Sequence, residues 1–217
     1  MHGPELARLI DHTLLKPDAQ RAAYERLCDE ATEHVFFSVC VPPSRIEFAK
    51  ARLDGSSVKI ATVIGFPNGY STARSKRFEA EDALSIGADE LDMVIDVGRL
   101  KEGDRDAVSH DLRAVVESGG HVKVIIETAL LTDDEKRLAC ELAVDAGAHF
   151  VKTSTGFAGG GATPDDVRLM RAVVGPDVGV KASGGIRTFE DAMRMVEAGA
   201  TRLGCSASVA IVGGAPA

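Results

Sequence analysis

Four charged residues lie within stretches that otherwise have the composition of buried β-strands. Asp92 is in ELDMVID, Lys123 in HVKVIIET, Lys152 in FVKTSTG and Lys181 in VGVKASGG. Successive lysines are 29 residues apart, so they occupy equivalent places in consecutive structural units. Because strands that are buried on both faces are normally apolar, these charges predict a common site, with the three lysines at a similar level.

Amine chemistry is the function that such a cluster favours. A single lysine in a strand is more often a residue whose stem is buried and whose ammonium group reaches solvent. Three lysines beside a carboxylate favour another interpretation, because burial and neighbouring cations disfavour the charged ammonium form and lower its pKa. A neutral amine attacks carbonyl carbons. The sequence therefore predicts Schiff-base chemistry.

Two glycine-containing segments, KASGGIRT and LGCSAS, follow the last two predicted strands. They place Gly184, Gly185, Gly204 and Ser206 at consecutive strand ends, where βα barrels commonly bind phosphate through backbone N–H groups and a helix N-terminus. Together they predict a phosphorylated ligand. A third glycine-rich segment, STGFAGGGAT (154–163), either covers the substrate or is a flexible connection.

A repeating unit positions these residues. An amphipathic helical stretch, the pair Gly-Ala and an apolar β-rich run recur around Gly87, Gly147 and Gly199, with a looser copy around Gly119. Glycine suits the position after a helix because it accepts a positive φ without a Cβ clash. Such repetition is typical of successive βα units.

Eight strands follow from this pattern. They are predicted near 9–15, 35–41, 58–66, within GADELDMVID, and near 121–128, 150–156, 178–184 and 202–206, with helices near 71–87, 104–118, 132–147, 163–174 and 188–198. Capping side chains, Thr132 with Glu135, Thr163 with Asp166 and Thr188 with Asp191, precede three of the helices. The pattern predicts an α/β fold, a single eight-stranded parallel βα (TIM) barrel, with an open doubly wound sheet as the alternative.

Composition excludes several classes of protein. The length of 217 residues suits one domain, spanning 1–217, and the net charge of −8 argues against nucleic acid as a partner. Four cysteines without a C-x-x-C pair fit a reducing cytoplasm, and no apolar run is long enough for a membrane span. The histidines form no metal-binding motif, so no metal is expected.

Seven motifs of the chain resemble those of the deoxyribose-phosphate aldolases, a class I aldolase family that joins acetaldehyde to glyceraldehyde 3-phosphate. They occur in the family's order over nearly the whole chain, as IDHTLLKP, SVCVPP, VIGFPNG, GADELDMVID, VKVIIET, VKTSTGF and KASGGIRT. Seven motifs in order are more specific than any one alone. The resemblance implies reversible cleavage of 2-deoxy-D-ribose 5-phosphate, with no metal or organic cofactor.

The resemblance also implies roles for individual residues. Lys152, in the family's V-K-T-S-T-G, is expected to be the Schiff-base lysine. Lys181, in K-x-S-G-G, is expected to lower the pKa of that lysine, and Asp92 to shuttle protons together with Lys181. The expected substrate-binding residues are Asp11, Cys40, Lys123, Thr153, Gly184, Gly185, Gly204 and Ser206. Cys40 is included because it ends an early strand, and a small core residue is the alternative for it.

The sequence departs from the family pattern at two places. Some members have a second serine where this chain has Ala207, and some end in a mobile tail with a terminal tyrosine, whereas this chain stops at GGAPA.

Two alternative functions stay open. They are a Schiff-base aldolase of the same barrel type that acts on another phosphorylated sugar, and a non-catalytic phosphosugar-binding or sensor protein. A homodimer is the expected assembly, because compact barrels often pair.

Overall fold

Eight parallel strands close into a barrel in the computed structural model, which describes residues 1–216. The strands are β1 (Ile10–Thr13), β2 (Ser38–Cys40), β3 (Lys59–Ile64), β4 (Glu90–Val94), β5 (His121–Ile125), β6 (Phe150–Lys152), β7 (Gly179–Ser183) and β8 (Arg202–Cys205). Each strand pairs with the next along the chain, and β8 pairs with β1. The TIM-barrel prediction is confirmed, and the open-sheet alternative is wrong.

Helices surround the barrel. They are α1 (Gly3–Ala7), α2 (Arg21–His34), α3 (Ile46–Arg52), α4 (Ala73–Ile86), α5 (Val97–Lys101), α6 (Arg105–Val116), α7 (Asp133–Asp145), α8 (Pro164–Val174), α9 (Phe189–Glu197) and α10 (Ser208–Gly213), with short 3-10 helices at Pro43–Arg45 and Thr128–Leu130. The five predicted helices are α4, α6, α7, α8 and α9. The remaining five helices were not predicted. None of the helices in residues 1–216 combines the length and hydropathy of a membrane span.

The predicted helix ends are present. The side chains of Thr132, Thr163 and Thr188 accept hydrogen bonds from the backbone N–H groups of Glu135, Asp166 and Asp191. Gly87, Gly147 and Gly199 follow helices with φ of +116°, +84° and +112°. A residue with a side chain is strained at such a φ. These glycines end the helices and turn the chain into the next strand.

The core and the site lie on opposite faces of the same strands. Leu91 and Met93 of β4 join the apolar core that fills the space between the barrel and the helices. Side chains alternate along a strand, so Glu90 and Asp92 point into the barrel. The interior of the barrel therefore carries charge, and the apolar shell outside it supplies the burial that stabilises the fold.

Candidate active site

Six charged side chains form a closed ring inside the barrel, in which cations and anions alternate. Each member contacts the next, and the last contacts the first. In order they are Arg202, Asp11, Lys181, Asp92, Lys123 and Glu90. Each side chain is at most 7% exposed. We call this set the ionic ring. It satisfies each buried charge with two opposite charges, as burial requires.

The distances around the ionic ring are those of direct hydrogen bonds. Asp92 accepts from Lys123 through Oδ1 at 2.7 Å and from Lys181 through Oδ2 at 2.7 Å. Arg202 Nη1 lies 2.9 Å from both Asp11 Oδ1 and Glu90 Oε2. Lys123 Nζ lies 2.8 Å from Glu90 Oε2, and Lys181 Nζ contacts Asp11 Oδ2.

Lys152 is attached to the ionic ring without belonging to it. Its Nζ lies 2.8 Å from Asp92 Oδ2, the oxygen that also accepts from Lys181. Lys152 lines a cavity of about 400 Å³ at the C-terminal mouth of the barrel, whereas Lys123 and Lys181 do not line it. Of the three predicted lysines, Lys152 is therefore the one that a small molecule in this cavity can reach.

Strand register places Lys152 one layer above the other two lysines. Lys123 is in register with Phe150, whereas Lys152 is in register with Lys181. Strands of an eight-stranded barrel with a shear of eight are staggered by about one residue each. Lys123 and Lys181 therefore share a layer, and Lys152 shares the next layer toward the cavity with Asp92. The three lysines, predicted at a similar level, thus occupy two adjacent layers, and all three contact Asp92.

The pKa values of Lys152 and Lys181 move in opposite directions. Burial lowers the pKa of the Lys152 amine, the Asp92 carboxylate partly offsets this, and the Lys181 cation lowers the pKa further. Burial acts in the same direction on Lys181, but the carboxylates of Asp11 and Asp92 outweigh it and raise the pKa of Lys181. Lys181 thus stays charged, while Lys152 gains access to the neutral amine that attacks carbonyl groups.

The two carboxylates beside these lysines stay ionised. Burial acts to raise the pKa of Asp92, but the ammonium groups of Lys123, Lys152 and Lys181 hold it well below its usual range. At Asp11 burial is likewise outweighed, by Lys181, Lys123 and Arg202, and the pKa falls to about 2. The site therefore keeps fixed negative charge next to the amine throughout the neutral pH range.

Glycines bring backbone close to the cavity. Gly184 and Gly185 have φ of +84° and +81°, a conformation that residues with side chains rarely adopt. A Cβ on Gly204 would lie 2.9 Å from the Cβ of Ser183 and 3.1 Å from Cε of Lys181. All three glycines line the cavity, as does Ser206. The predicted loops after β7 and β8 thus form one wall.

The segment 154–163 forms another part of the wall. Thr155, Gly156 and Phe157 line the cavity. The buried carboxylate of Glu127 anchors the segment, because its Oε2 accepts from the Thr155 backbone N–H at 3.1 Å and contacts Thr155 Oγ1. At the other end, the N–H of Ala162 lies 3.0 Å from the carbonyl oxygens of Ser183 and Gly184. The segment is therefore more than a connection between elements.

Four of the predicted substrate-binding residues do not line the cavity. Asp11 and Lys123 belong to the ionic ring below it. Cys40 is fully buried in the barrel interior, where burial raises the pKa of its thiol. Thr153 links β6 to β7, since its Oγ1 accepts from Ser183 N–H at 3.1 Å and donates to Ser183 O at 3.2 Å. Ala207, noted as a departure, is also absent from the lining.

Sequence reasoning missed residues that complete the site. Glu90 and Arg202 close the ionic ring, and each is the first residue of its strand. Lys16 and Arg187 are cavity-lining cations that were not predicted, although Lys16 lies in the IDHTLLKP motif and Arg187 in the KASGGIRT segment. Within residues 1–216, no group of three or more His, Cys, Asp or Glu side chains is arranged to hold a metal ion.

Comparisons with known proteins agree with this geometry. Residues 6–212 match the family model described as DeoC/LacD family aldolase. The chain is 57% identical over 217 residues to a deoxyribose-phosphate aldolase of Clostridium perfringens, covering 99% of this chain and 97% of the relative. It is 59% identical over 212 residues to that of Streptococcus pneumoniae, covering 97% and 96%.

A solved structure agrees over the same length. The deoxyribose phosphate aldolase of Aeropyrum pernix, described as having a unique tetrameric structure, superimposes with a TM-score of 0.90 at 35% identity, over 97% of this chain and 91% of that one. Fold, sequence and the lysine at the barrel mouth thus lead to one conclusion. The chain belongs to the DeoC/LacD family of aldolases.

Proposed function

We propose that the chain is a deoxyribose-phosphate aldolase that reversibly cleaves 2-deoxy-D-ribose 5-phosphate into D-glyceraldehyde 3-phosphate and acetaldehyde through a Schiff base on Lys152. The names of the relatives support the substrate. The observation that carries the mechanism is the position of Lys152, which lines the cavity. Its Nζ donates to Asp92 Oδ2, the same oxygen that accepts from the charged Lys181. A nucleophile needs both reach and a neutral amine, and Lys152 combines the two.

The reaction begins with imine formation. Neutral Lys152 attacks C1 of the open-chain sugar, and loss of water from the carbinolamine leaves an imine. Lys181, whose pKa is raised beside Asp11 and Asp92, remains a cation next to this carbon. The protonated imine is itself the electron sink for the next step, so the proposal requires neither a metal nor an organic cofactor.

Carbon–carbon cleavage follows. Asp92, through Lys181 or a bound water molecule, removes the proton from the C3 hydroxyl group, and the C2–C3 bond breaks. The electron pair of that bond forms the enamine, and C3 leaves as the aldehyde carbon of glyceraldehyde 3-phosphate. Protonation of the enamine at C2 and hydrolysis of the imine release acetaldehyde and restore the amine of Lys152.

The substrate phosphate binds at the wall made by the loops after β7 and β8. Gly184, Gly185, Gly204 and Ser206 line this wall, and α9 begins two residues after the cavity-lining Arg187. Lys16 and Arg187 line the same cavity and add positive charge. Phosphate is commonly bound by backbone amides and helix N-termini of this kind.

Trapping with borohydride tests the proposal directly. Acetaldehyde and borohydride are expected to leave an N-ethyl group on Lys152, located by peptide mass spectrometry. Lys152→Ala should abolish both the adduct and turnover of 2-deoxyribose 5-phosphate. An adduct on Lys123 or Lys181 in the wild-type protein would overturn the assignment of the nucleophile.

The same assay distinguishes the two alternative functions. An aldolase for another phosphorylated sugar would form the Lys152 imine but would release a different aldehyde, so a panel of phosphorylated sugars is assayed for retro-aldol cleavage. A non-catalytic phosphosugar-binding protein would show ligand-dependent thermal stabilisation without any imine. Turnover of 2-deoxyribose 5-phosphate above that of the other sugars is the expected result.

We further propose that the enzyme is cytoplasmic, that residues 1–217 form one domain, and that it assembles as a homodimer. All four cysteines are buried free thiols, which suits a reducing compartment. The described residues form one barrel with one large apolar core around it and a second, small apolar cluster of Cys40, Ala61 and Val63, which supports one domain. Light scattering measures the assembly, and a monomeric mass would contradict the dimer.

A further inference from the structure

We propose that Glu90 and Arg202, which lie at the N-terminal end of the barrel and do not reach the cavity, are positioning residues for the reaction. They set the charge of the ionic ring in opposite senses: the Arg202 cation favours the uncharged, nucleophilic form of Lys152, and the Glu90 carboxylate opposes it. This inference rests on the proposed Schiff-base function. It adds two residues that never touch the substrate to the machinery that sets the protonation of the nucleophile.

Charge balance in the ionic ring carries the inference. The ring contains three cations and three anions, and each contacts two groups of opposite sign. Lys152 is a seventh group, attached to Asp92, which already accepts from Lys123 and Lys181. Protonating Lys152 would therefore add an unbalanced positive charge to a side chain that is almost fully buried. A low-dielectric interior strongly disfavours such a charge.

No further anion compensates Lys152 in residues 1–216, where Asp92 supplies its one carboxylate contact within ion-pair distance. The groups that face Lys152 are Asp92 from β4, Lys181 from β7 and Cys40 from β2, with the remaining ring members Asp11, Lys123, Glu90 and Arg202 behind them. Burial raises the pKa of the Cys40 thiol, so Cys40 remains neutral. Burial and the charge of the ring therefore together set the protonation of Lys152.

Arg202 is a permanent cation in the part of the ionic ring nearest the N-terminal end of the barrel. Its guanidinium carbon lies 3.4 Å from the centroid of the Phe37 aromatic ring and 5.2 Å from the centroid of the Phe150 aromatic ring. The carboxylates of Asp11 and Glu90, which accept from its Nη1, outweigh burial and raise its pKa. Arginine does not lose its proton in proteins. If its charge is removed, the ring carries a surplus negative charge that favours the protonated form of Lys152.

Glu90 is the anion that balances Arg202. Its Oε2 lies 2.8 Å from Lys123 Nζ and 2.9 Å from Arg202 Nη1. Without this carboxylate the ring has three cations for two anions, and protonation of Lys152 becomes less favourable still. Removal of Glu90 and removal of Arg202 should therefore shift the protonation of Lys152 in opposite directions, a result that a purely structural role would not produce.

The test compares Arg202→Gln with Glu90→Gln in the full-length protein. In Arg202→Gln the acidic limb of the kcat/KM profile for 2-deoxyribose 5-phosphate should move to higher pH by about one unit, because the pKa of Lys152 rises. In Glu90→Gln it should move to lower pH. Arg202→Lys, which keeps the charge, should leave the limb in place, and the double variant Glu90→Gln/Arg202→Gln should return it toward the wild-type position.

A second pair of variants covers the case in which the buried substitutions prevent folding. The His121 side chain is 38% exposed, and its Nε2 lies 3.7 Å from Glu90 Oε1. His121→Glu should move the limb to higher pH and His121→Lys to lower pH, by smaller amounts because solvent screens the added charge. Shifts of the same sign, or no shift, in every folded pair would overturn the inference.

The proposed function and this inference fail in different ways. If acetaldehyde and borohydride leave no adduct on Lys152 of the wild-type protein, the proposed function fails and the inference fails with it. If the adduct forms but the acidic limb does not move in opposite directions in the paired variants, only the inference fails. Opposite shifts together with the adduct support both.

Discussion

Two buried lysines in this barrel occupy very different ionic environments. Lys76 of α4 is fully buried outside the barrel, where its Nζ donates to Asp111 Oδ2 at 2.6 Å and to the carbonyl oxygen of Val94 at 2.8 Å. Lys152 is also almost fully buried, but it opens onto the cavity and shares Asp92 with two other lysines. Burial alone therefore does not distinguish the proposed nucleophile.

The difference lies in the number of cations for each carboxylate. Asp111 pairs with Lys76 alone, and burial raises the pKa of Asp111, whose Oδ1 has no hydrogen-bond partner. Asp92 serves three ammonium groups, which together hold its pKa well below the usual range. An amine that competes with other cations for a carboxylate loses its proton more readily than one that has a carboxylate to itself.

Matched substitutions should separate stability from turnover at these two lysines. Lys76→Met leaves the Asp111 carboxylate buried without its cation and should lower the free energy of unfolding by about 3 to 5 kcal/mol. Lys152→Met leaves Asp92 paired with Lys123 and Lys181, so the free energy of unfolding should change by less than about 1 kcal/mol. Urea denaturation measures both.

The loss of activity should follow the opposite order. Lys152→Met should reduce kcat on the order of 10⁴-fold or more, as removal of a covalent nucleophile does, whereas folded Lys76→Met should keep the acetaldehyde adduct on Lys152. The control is Lys76→Met/Asp111→Leu, which removes both charges and should restore most of the lost stability. A Lys152→Met protein as destabilised as Lys76→Met would contradict the comparison.

Acid stability should show the same contrast among the carboxylates. The pKa of Asp11 is about 2 in the folded protein, against an ordinary value of 3.8. The stability that this difference contributes is present above about pH 4 and is lost as pH falls toward about 2, which amounts to about 2 kcal/mol. The free energy of unfolding, measured with urea, should decline less steeply between about pH 4 and about pH 2 in Asp11→Asn than in the wild type.

Asp111 provides the matched control for acid stability because its sign is reversed. Its folded-state pKa is raised by burial, so the folded protein binds a proton at Asp111 more readily than the unfolded chain does. This proton uptake offsets part of the acid loss, and Asp111→Asn should make the decline with falling pH steeper. A flatter decline in Asp111→Asn would show that the two carboxylates do not differ as described.

The sequence predicted the barrel because three of its helices, α4, α7 and α9, are followed by Gly-Ala before a strand. The same criterion explains why α2 was missed. That helix ends at Val35, a β-branched residue with φ of +53°, where no glycine marks the end. The buried face of α2 has helical spacing and consists of Tyr24, Leu27, Cys28 and Ala31. No Gly-Ala pair separates this helix from the strand that was predicted at 35–41.

The site was predicted where a charge interrupts an apolar run and was missed where a charge begins one. Asp92 and Lys152 have apolar neighbours before them, so they stand out in the sequence. Glu90 follows Asp89 and Arg202 follows Thr201, so each could equally belong to the loop before its strand. Alternation from Asp92 places Glu90 on the same inward face once Glu90 is assigned to the strand, and the strand register shows that both residues belong to their strands.

Glu127 was not predicted from the sequence either. It allows a smaller test, which compares the role of the ionic ring with that of the cavity wall. The ionic ring controls the charge of Lys152, whereas Glu127 holds a wall of the cavity through Thr155. Glu127→Asn tolerates the φ of +57° at this position but is too short to reach Thr155. Loss of these charge-assisted hydrogen bonds should raise KM for 2-deoxyribose 5-phosphate about tenfold with kcat within about threefold.

The rescue variant for this test is Glu127→Gln, which keeps an acceptor oxygen for Thr155 and should restore most of the KM. Trapping of acetaldehyde on Lys152 should stay at the wild-type rate in both variants, because the two-carbon aldehyde does not require the wall that Thr155, Gly156 and Phe157 provide. If Glu127→Asn also lost this adduct, or shifted the acidic limb of kcat/KM, the wall and the ionic ring would not act separately on Lys152.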